Sequence, residues 1–541
     1  MKTNRLCVLT AGILFLIPSL NFGQAPTLGT AANFVLFSST GSLTNTGVSQ
    51  LTGNVGTNNG SITGFGNVNG VMDNSNGASA QCATDLLSAY NQLNNDVPAF
   101  FPASPLGNGD TLVAGIYKLS AATVLNLNLY LNAKGNPNAV FIFQIQGPFS
   151  TNASSKVKLI NGTLACNVFW KVEGLVSMAS GTTMRGTVIA NNAAINMNTG
   201  DTLEGRALST TGAVTVNGVL AYTPIGCGSP QLTGPAAPNL ASTACFAIFS
   251  GDGAVTNTGT THLTGDVGTN VGLTTGYNAL DVTGNIYPIP NSVTAQCATD
   301  LGNVYTYLNS LPYDIELLYP AQFGNNLVLT PHTYLMNAAT TFTDTLYLNA
   351  EGDANAVFVI QINGALSTST YSKVLLINGT QSKNVFWVVN GAVSINNFSE
   401  FNGTLVANNG AISVLNGANI SGRMLTTNGQ LTTDSITDVA TAIPGNCGAL
   451  SVQDINVTNE AVTIYPNPFN GSVTINVNDV SKINNCNLRI YNVLGEAVIN
   501  TIITKQSTVL ETGNLTPGVY FYQVLGNDAL IQSGKLVSMI R

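Results

Sequence analysis

Residues 130–145 read YLNAKGNPNAVFIFQI and residues 347–362 read YLNAEGDANAVFVIQI, one sequence written twice, 217 positions apart. The same offset carries Asn167-Val168-Phe169-Trp170 onto Asn384-Val385-Phe386-Trp387, and Gly186 and Gly205 onto Gly403 and Gly422. Two copies of one domain therefore lie in series. A finer repeat inside each copy sets its fold. Thr182-Thr183-Met184-Arg185-Gly186 lies 19 residues before Asp201-Thr202-Leu203-Glu204-Gly205. At that offset Ile189 falls on Leu208, Asn191 on Thr210, Ile195 on Val214, Met197 on Val216 and Asn198 on Asn217. In copy two Gly403 falls on Gly422, Val406 on Leu425, Ile412 on Leu431 and Ser413 on Thr432. Apolar residues meet apolar ones, and Arg185 meets Glu204. Successive coils of a β-solenoid require such columns, because each coil lies one strand spacing, ~4.8 Å, above the last. Nineteen residues supply three short strands and three corners, hence a roughly triangular coil. A β-sandwich, the structural rival, predicts no same-residue columns.

Each copy opens with strand-forming segments, LTNTGVSQLTGNVGTN at 43–58 and VTNTGTTHLTGDVGTN at 255–270. A helix follows. Ala80, Ala83, Leu86, Leu87, Tyr90, Leu93 and Val97 recur at helical spacing in copy one, as do Ala298, Leu301, Val304, Tyr305, Leu308 and Leu311 in copy two. Each helix has one apolar face, which is expected to pack on the β-structure. Lys2, Arg5 and the apolar run Leu9–Leu20 read as a signal peptide over 1–24. The remaining expected segments are copy one at 25–227, a Pro/Gly-rich linker at 228–240, copy two at 241–447, a second linker at 448–460 and a tail at 461–541. The tail alternates strand and turn signals, which suggests a small β-sandwich. The expected fold class is mainly β: two tandem triangular solenoids, each with one flanking α-helix, followed by that sandwich.

Charged residues make up 8% of the 541-residue chain, against a typical ~25%. The net charge of −8 and the absence of a Lys/Arg cluster argue against nucleic acid, whose binding neutralises phosphates. Two histidines, His262 and His332, cannot make a multi-histidine metal site, and both read as surface polar residues. No cofactor motif occurs. Export puts the cysteines in an oxidising compartment. Cys82, Cys166, Cys227, Cys245, Cys297 and Cys447 fall three to each repeat, leaving their connectivity open, and Cys486 stands in the tail.

An enzyme acting on polysaccharides would need facing carboxylates. Acids are sparse here and change between copies: Glu173 corresponds to Asn390, Asp201 to Ala418 and Glu204 to Ser421. No Ser/His/Asp set or phosphate loop offers a substitute, so no enzyme is expected. Threonine is more informative, because its β-branch fixes hydroxyl and methyl in one rotamer on an outward row.

LGTAANFVLFSSTG, LTNTG, LTGNVGTN, the AQCATDLLSAY helix, NAVFIFQI, CNVFWKV and GTTMRGTVIANN together resemble the microbial ice-binding protein family. Copy two matches with STACFAIFSGDGAVTNTG, AQCATDL, NAVFVIQI, SKNVFWVV and SGRML. The resemblance implies an irregular β-helix with a helix alongside, adsorbing to ice through a flat solenoid face and slowing crystal growth and recrystallisation. The family's ice-facing pattern, Thr-Ala/Gly-x-Thr/Asn, fits Thr199-Gly200-Asp201-Thr202, and fits Ser180-Gly181-Thr182-Thr183 with Ser for Thr. Copy two offers Asn416-Gly417-Ala418-Asn419, whereas Asn397-Phe398-Ser399-Glu400 departs from it. The implied ice-contacting residues are thus Ser180, Thr182, Thr183, Thr199, Thr202, Asn416 and Asn419. Copy one is expected to be the better binder, with Asp201 as a charge on its face and Phe398 and Glu400 interrupting copy two. Tyr465-Pro466-Asn467-Pro468-Phe469 and Leu515-Thr516-Pro517-Gly518-Val519-Tyr520 resemble the type A sorting domain of the type IX secretion system. That resemblance implies a secreted protein of the Bacteroidota, handled by the secretion machinery and then extracellular or attached to the cell surface. A monomer is expected. The competing function is an adhesin or glycan-binding module without ice activity.

Overall fold

The computed structural model describes residues 23–226, 232–440, 462–478, 486–526 and 529–539. The expected signal peptide, Cys227, Cys447 and the second linker fall outside them, apart from the last two signal residues. The chain divides into two compact units, Met1–Gly448 and Ala449–Arg541.

Each copy is a triangular parallel solenoid with the register the 19-residue repeat predicts. Strand Thr183–Ala190 lies beside Thr202–Ser209 with Thr183 opposite Thr202, Gly186 opposite Gly205 and Ile189 opposite Leu208. In copy two, Glu400–Ala407 lies beside Asn419–Thr426 with Gly403 opposite Gly422 and Val406 opposite Leu425. These eight-residue strands turn a corner midway. A Cβ on Gly205 would sit 1.9 Å from the Gly186 carbonyl oxygen, so only glycine lets the coils stack there.

The triangle has three unlike faces. The first is buried on both sides, because a helix lies over it: α1 (Gly77–Asn95) in copy one and α2 (Ser292–Ser310) in copy two. The second is one continuous sheet of eight parallel strands. In copy one it runs through Leu106–Gly107, Thr123–Asn126, Phe149–Thr151, Val176–Ser177, Ile195–Met197, Val214–Asn217, Leu43–Thr46 and Ile62–Thr63. The third carries Asn128–Asn132, Lys156–Ile160, the first halves of the two long strands, Leu220–Tyr222 and Gln50–Thr52.

The stacking order departs from the chain order. Strand Phe34–Ser38 lies on the last coil, with Leu36 opposite Ala207. The chain lays two coils at one end, then α1 carries it back along the stack to begin again at the other. Nineteen helical residues rise about 28 Å, close to six strand spacings of ~4.8 Å. The helix length is therefore matched to the height of the coils it spans.

Both helices start with capping boxes, Asn76 with Ser79 and Asn291 with Thr294. Near their last turns, Gln144 Nε2 donates to the Leu93 and Asp96 carbonyls at 2.8 and 2.7 Å, and Gln361 does the same for Leu308 and Leu311. The buried stripe differs from the predicted one. In α1 it is Ser79, Cys82, Leu86, Ala89 and Leu93, while Ala80, Leu87 and Val97 are exposed. The sheet beneath already presents bulky Phe37, Ile142, Phe169 and Ile189, so small helix residues let the two layers approach. Cys82 and Cys297 are free thiols, fully buried.

In the C-terminal unit, a three-stranded and a four-stranded antiparallel sheet share one apolar core, which includes Phe469, Val473, Ile475, Leu488, Ile490 and Val524. This is the predicted small sandwich.

Candidate functional site

Strand alternation aims every second residue of this second sheet outward. In copy two the outward column reads Thr341, Ser367, Ser394, Ser413, Thr432, Thr256, Thr275. Seven successive coils present a hydroxyl, over about 29 Å at ~4.8 Å per coil. Copy one reads Val124, Ser150, Ser177, Asn196, Thr215, Thr44, Thr63. Hydrogen bonds run along the columns and hold the side chains in place: Thr432 Oγ1 to Ser413 Oγ at 3.1 Å, and Thr215 Oγ1 to Asn196 Oδ1 at 2.6 Å. We call this the hydroxyl face.

Beside the hydroxyls runs a second outward column. In copy two it includes Ala254, Gln430, Ala411, Ala392, Ala365 and Ala339. From Ala411 to Ala339 small methyls stand next to the hydroxyls, while Leu273, 55% exposed, heads the column and Gln430 interrupts it. Copy one has Ser42, Ala213, Ala194, Leu175, Pro148 and Ala122 in the corresponding places. Leu175 is 41% exposed and stands above the level of its neighbours.

The residues singled out from the motif fall elsewhere. Ser180 and Thr199 are exposed at the corner between the hydroxyl face and the third face, where Gly181 and Gly200 take φ of 78° and 79°. Thr182 is fully buried: its hydroxyl meets Thr151 Oγ1 at 2.6 Å and donates to the Ala179 carbonyl at 2.5 Å. It offers nothing to the surface. Asp201 is 1% exposed and so puts no charge on the face. Its carboxylate accepts from the Thr182 and Asn198 backbone N–H groups at 2.9 and 2.7 Å. Burial pushes this carboxyl up to about 6, against the pull of those N–H groups.

Thr183 and Thr202 do form one column, on the third face, flanked by Lys156 and Leu220. The neighbouring column carries the Arg185–Glu204 ion pair, and Arg185 Nη1 also reaches Tyr222 OH at 3.0 Å. Lys156 and Lys158 stand beside it. Copy two has Asn402 and Ser421 in place of that pair and carries its charges one column over, at the positions of Lys156 and Thr183, with Lys373 Nζ 2.6 Å from Glu400 Oε1. Asn419 lies between Glu400 and Thr437 on this charged face, and Asn416 is exposed at the corner. Phe398 also sits at the corner, stacked on Tyr371 at 5.1 Å. Neither Phe398 nor Glu400 therefore interrupts the hydroxyl face of copy two.

His262 is exposed, but His332 is half-buried, with Nδ1 3.2 Å from Thr330 Oγ1, and burial lowers its proton affinity. Among the described residues no three His, Cys, Asp or Glu side chains gather as a metal site, and no helix is long and apolar enough to cross a membrane.

Residues 37–220 and 249–439 match the Ice-binding-like family, and residues 463–539 match the secretion system C-terminal sorting domain. The chain is similar to an ice-binding protein of Nostoc, 39% identical over 168 residues that cover 30% of this chain and 61% of the relative. It is similar to ice-binding protein 1 of Shewanella frigidimarina, 31% identical over 223 residues covering 36% of this chain and 25% of the relative. The matched segments thus span less than two thirds of either relative. The crystal structure of an ice binding protein from an Antarctic bacterium of the Flavobacteriaceae superposes with a TM-score of 0.76 at 58% identity. That match covers 78% of this chain and 99% of the other.

Proposed function

The chain belongs to the Ice-binding-like family, and on that premise we propose that it adsorbs to ice through its hydroxyl faces, slowing crystal growth and recrystallisation. The observation that carries this reading is the unbroken seven-coil hydroxyl column of copy two on a parallel sheet, with alanines beside four of its coils in a row. Threonine and serine on a rigid sheet lose little side-chain freedom when they bind, so many weak contacts add up. Charge works the other way: an ionised group holds its hydration shell and resists joining an ordered water layer. The third face, with its Lys373–Glu400 and Arg185–Glu204 pairs, is for that reason the weaker candidate.

Copy two is in this reading the stronger binder, which reverses the expectation from the motif. Copy one breaks its columns with Val124, Leu175 and Pro148, where copy two has Thr341, Ala392 and Ala365; copy two has Leu273 and Gln430 where copy one has Ser61 and Ala213, but both lie beside its hydroxyl column and leave that column whole. The protein acts without catalysis, as a monomer, with the ice surface as its partner. The C-terminal sorting domain marks it for secretion, to the cell surface or beyond.

Thermal hysteresis and ice-recrystallisation assays on the purified protein test this. Micromolar protein is expected to hold a seed crystal static below the melting point. Free crystal growth at that concentration would remove the reading, and binding to a glycan panel instead would favour the adhesin.

A further inference from the structure

The two copies meet end to end, and five hydrogen bonds among the described residues cross between them. All five use the side chain of Asn67 or Asn69. Asn67 Nδ2 donates to the carbonyls of Tyr319 and Gln322 at 2.9 and 3.4 Å, while its Oδ1 accepts from the Tyr319 N–H at 2.9 Å. Asn69 Nδ2 donates to Thr330 Oγ1 at 2.9 Å, and its Oδ1 accepts from Tyr334 OH at 2.6 Å. Asn69, Thr330 and Tyr334 are 3%, 2% and 0% exposed, so the Asn69 half of the clamp is closed to solvent, while the three Asn67 bonds lie at its exposed rim.

The internal repeat shows that the clamp is particular to the ends that meet. Asn67 and Asn69 belong to the outermost coil of copy one, where Asn69 bridges Thr52. The corresponding coil of copy two, where Thr283 lies opposite Thr264, carries Asp281 and Thr283 in their places. On the other side, Thr330 and Tyr334 correspond to Val113 and Tyr117. Tyr117 OH donates within its own coil, to the Val113 carbonyl at 2.5 Å; Tyr334 OH lies 2.7 Å from the Thr330 carbonyl in the same way, and its single proton is shared between that carbonyl and Asn69 Oδ1. The two outer ends therefore lack the asparagines on one side and the threonine hydroxyl on the other. The clamp residues are thus complete only where copy one meets copy two.

The hydroxyl columns converge on the same seam. Register places Gln322 one coil beyond Thr341, at the foot of the copy-two column. Its Oε1 lies 3.4 Å from where a Cβ on Gly66 would stand, three residues past Thr63 at the head of the copy-one column. The charged faces meet there too, through Asn69 and the end of strand Leu327–Leu329.

We propose that the Asn67/Asn69 clamp locks the two solenoids into one rigid body whose hydroxyl faces run head to tail as a single composite ice-contact surface. Asn67, Asn69, Thr330 and Tyr334 are then positioning residues for ice binding. The composite surface rests on the proposed function; the lock itself does not. A second face held in place binds at a high effective concentration, so the tandem gains over its better half without new contacts.

The test uses the full chain with Asn67→Ala/Asn69→Ala, and Thr330→Val/Tyr334→Phe as a second pair that keeps side-chain shape. Calorimetry and small-angle scattering read the lock, and thermal hysteresis reads its consequence. The wild-type solenoids should melt together and scatter as one elongated body. Each variant should split the melt into two steps, increase the maximum dimension and lower hysteresis by about threefold or more at equal molarity. A variant pair that melts and scatters like wild type overturns the lock. Splayed solenoids with undiminished hysteresis overturn the composite surface while leaving the lock. A wild-type protein that scatters as one body but does not touch ice removes the functional premise, and with it the composite surface.

Discussion

Replacing Ser413 by tyrosine puts an aromatic ring at the fourth of the seven positions in the copy-two column, between Ser394 and Thr432. The backbone there is an ordinary strand, Ile412–Val414, whose neighbours Ile412 and Val414 point inward and are 0% and 1% exposed. An outward ring removes no packing, so stability should change by no more than ~0.5 kcal/mol. The effect on ice is of another size. A ring standing off the sheet holds the neighbouring hydroxyls beyond hydrogen-bond reach of ~3 Å from a flat lattice. Seven hydroxyls at about 0.5 kcal/mol each, the low end for a net hydrogen bond, amount to about 3.5 kcal/mol. At about 1.4 kcal/mol per decade, that is a loss of a few hundredfold in affinity for the copy-two face. Thermal hysteresis against concentration measures it, with circular dichroism melting as the control. A Ser413→Tyr protein that melts like wild type and keeps its full activity would refute the choice of face.

Thr202→Tyr, on the charged face beside the Arg185–Glu204 pair, should leave both melting and ice activity near wild type. Leu203→Asp one position along, at a site 0% exposed, should unfold copy one by burying an unpaired charge, seen as loss of its melting transition. Leu175→Ala should level the copy-one face and raise hysteresis measured in a background where Ser413→Tyr has silenced copy two. Asp438 is 0% exposed, its carboxylate oxygens have no hydrogen-bond partner, and copy one has Ala221 there. Burial raises its folded-state proton affinity, with Arg423 opposing, so stability falls as pH climbs from about 4 through the folded-state value. Asp438→Ala should therefore raise the copy-two melting temperature more at pH 8 than at pH 4, by the equivalent of about 1–3 kcal/mol; an equal gain at both would contradict the sign.

The solenoid was legible in the sequence because a parallel coil places residues 19 apart in direct contact, and Ile195 over Val214 or Ser413 over Thr432 records that contact in the letters. Which face to propose for ice contact was harder to read. All three faces alternate inward and outward, so an outward threonine looks the same on each, and Thr183 over Thr202 is as regular as Ser413 over Thr432. The inward turn of Thr182 and Asp201 depends on Gly181 and Gly200 adopting left-handed backbone at the corner, which four letters of motif do not convey. The signal that separates the faces is longer than the motif. The hydroxyl sheet of copy two keeps Ser or Thr through seven coils, and the coils before Ser394 are spaced 27 and 26 residues apart rather than 19, so no fixed offset in the sequence reveals the column. The docking of Phe34–Ser38 onto the last coil was invisible for a different reason: it joins residues some 170 apart, Leu36 to Ala207, and no local pattern marks it.

Ice-affinity partitioning tests the central claim most directly. The wild-type protein and a Thr215→Tyr/Ser413→Tyr variant, blocked on both hydroxyl faces, would be mixed with an inert protein and frozen slowly onto a cold finger. The account predicts that wild type concentrates in the ice while the variant, folded by its melting curve, stays in the liquid with the inert protein. A variant that enters the ice as readily as wild type, or a wild type left in the liquid, would contradict it.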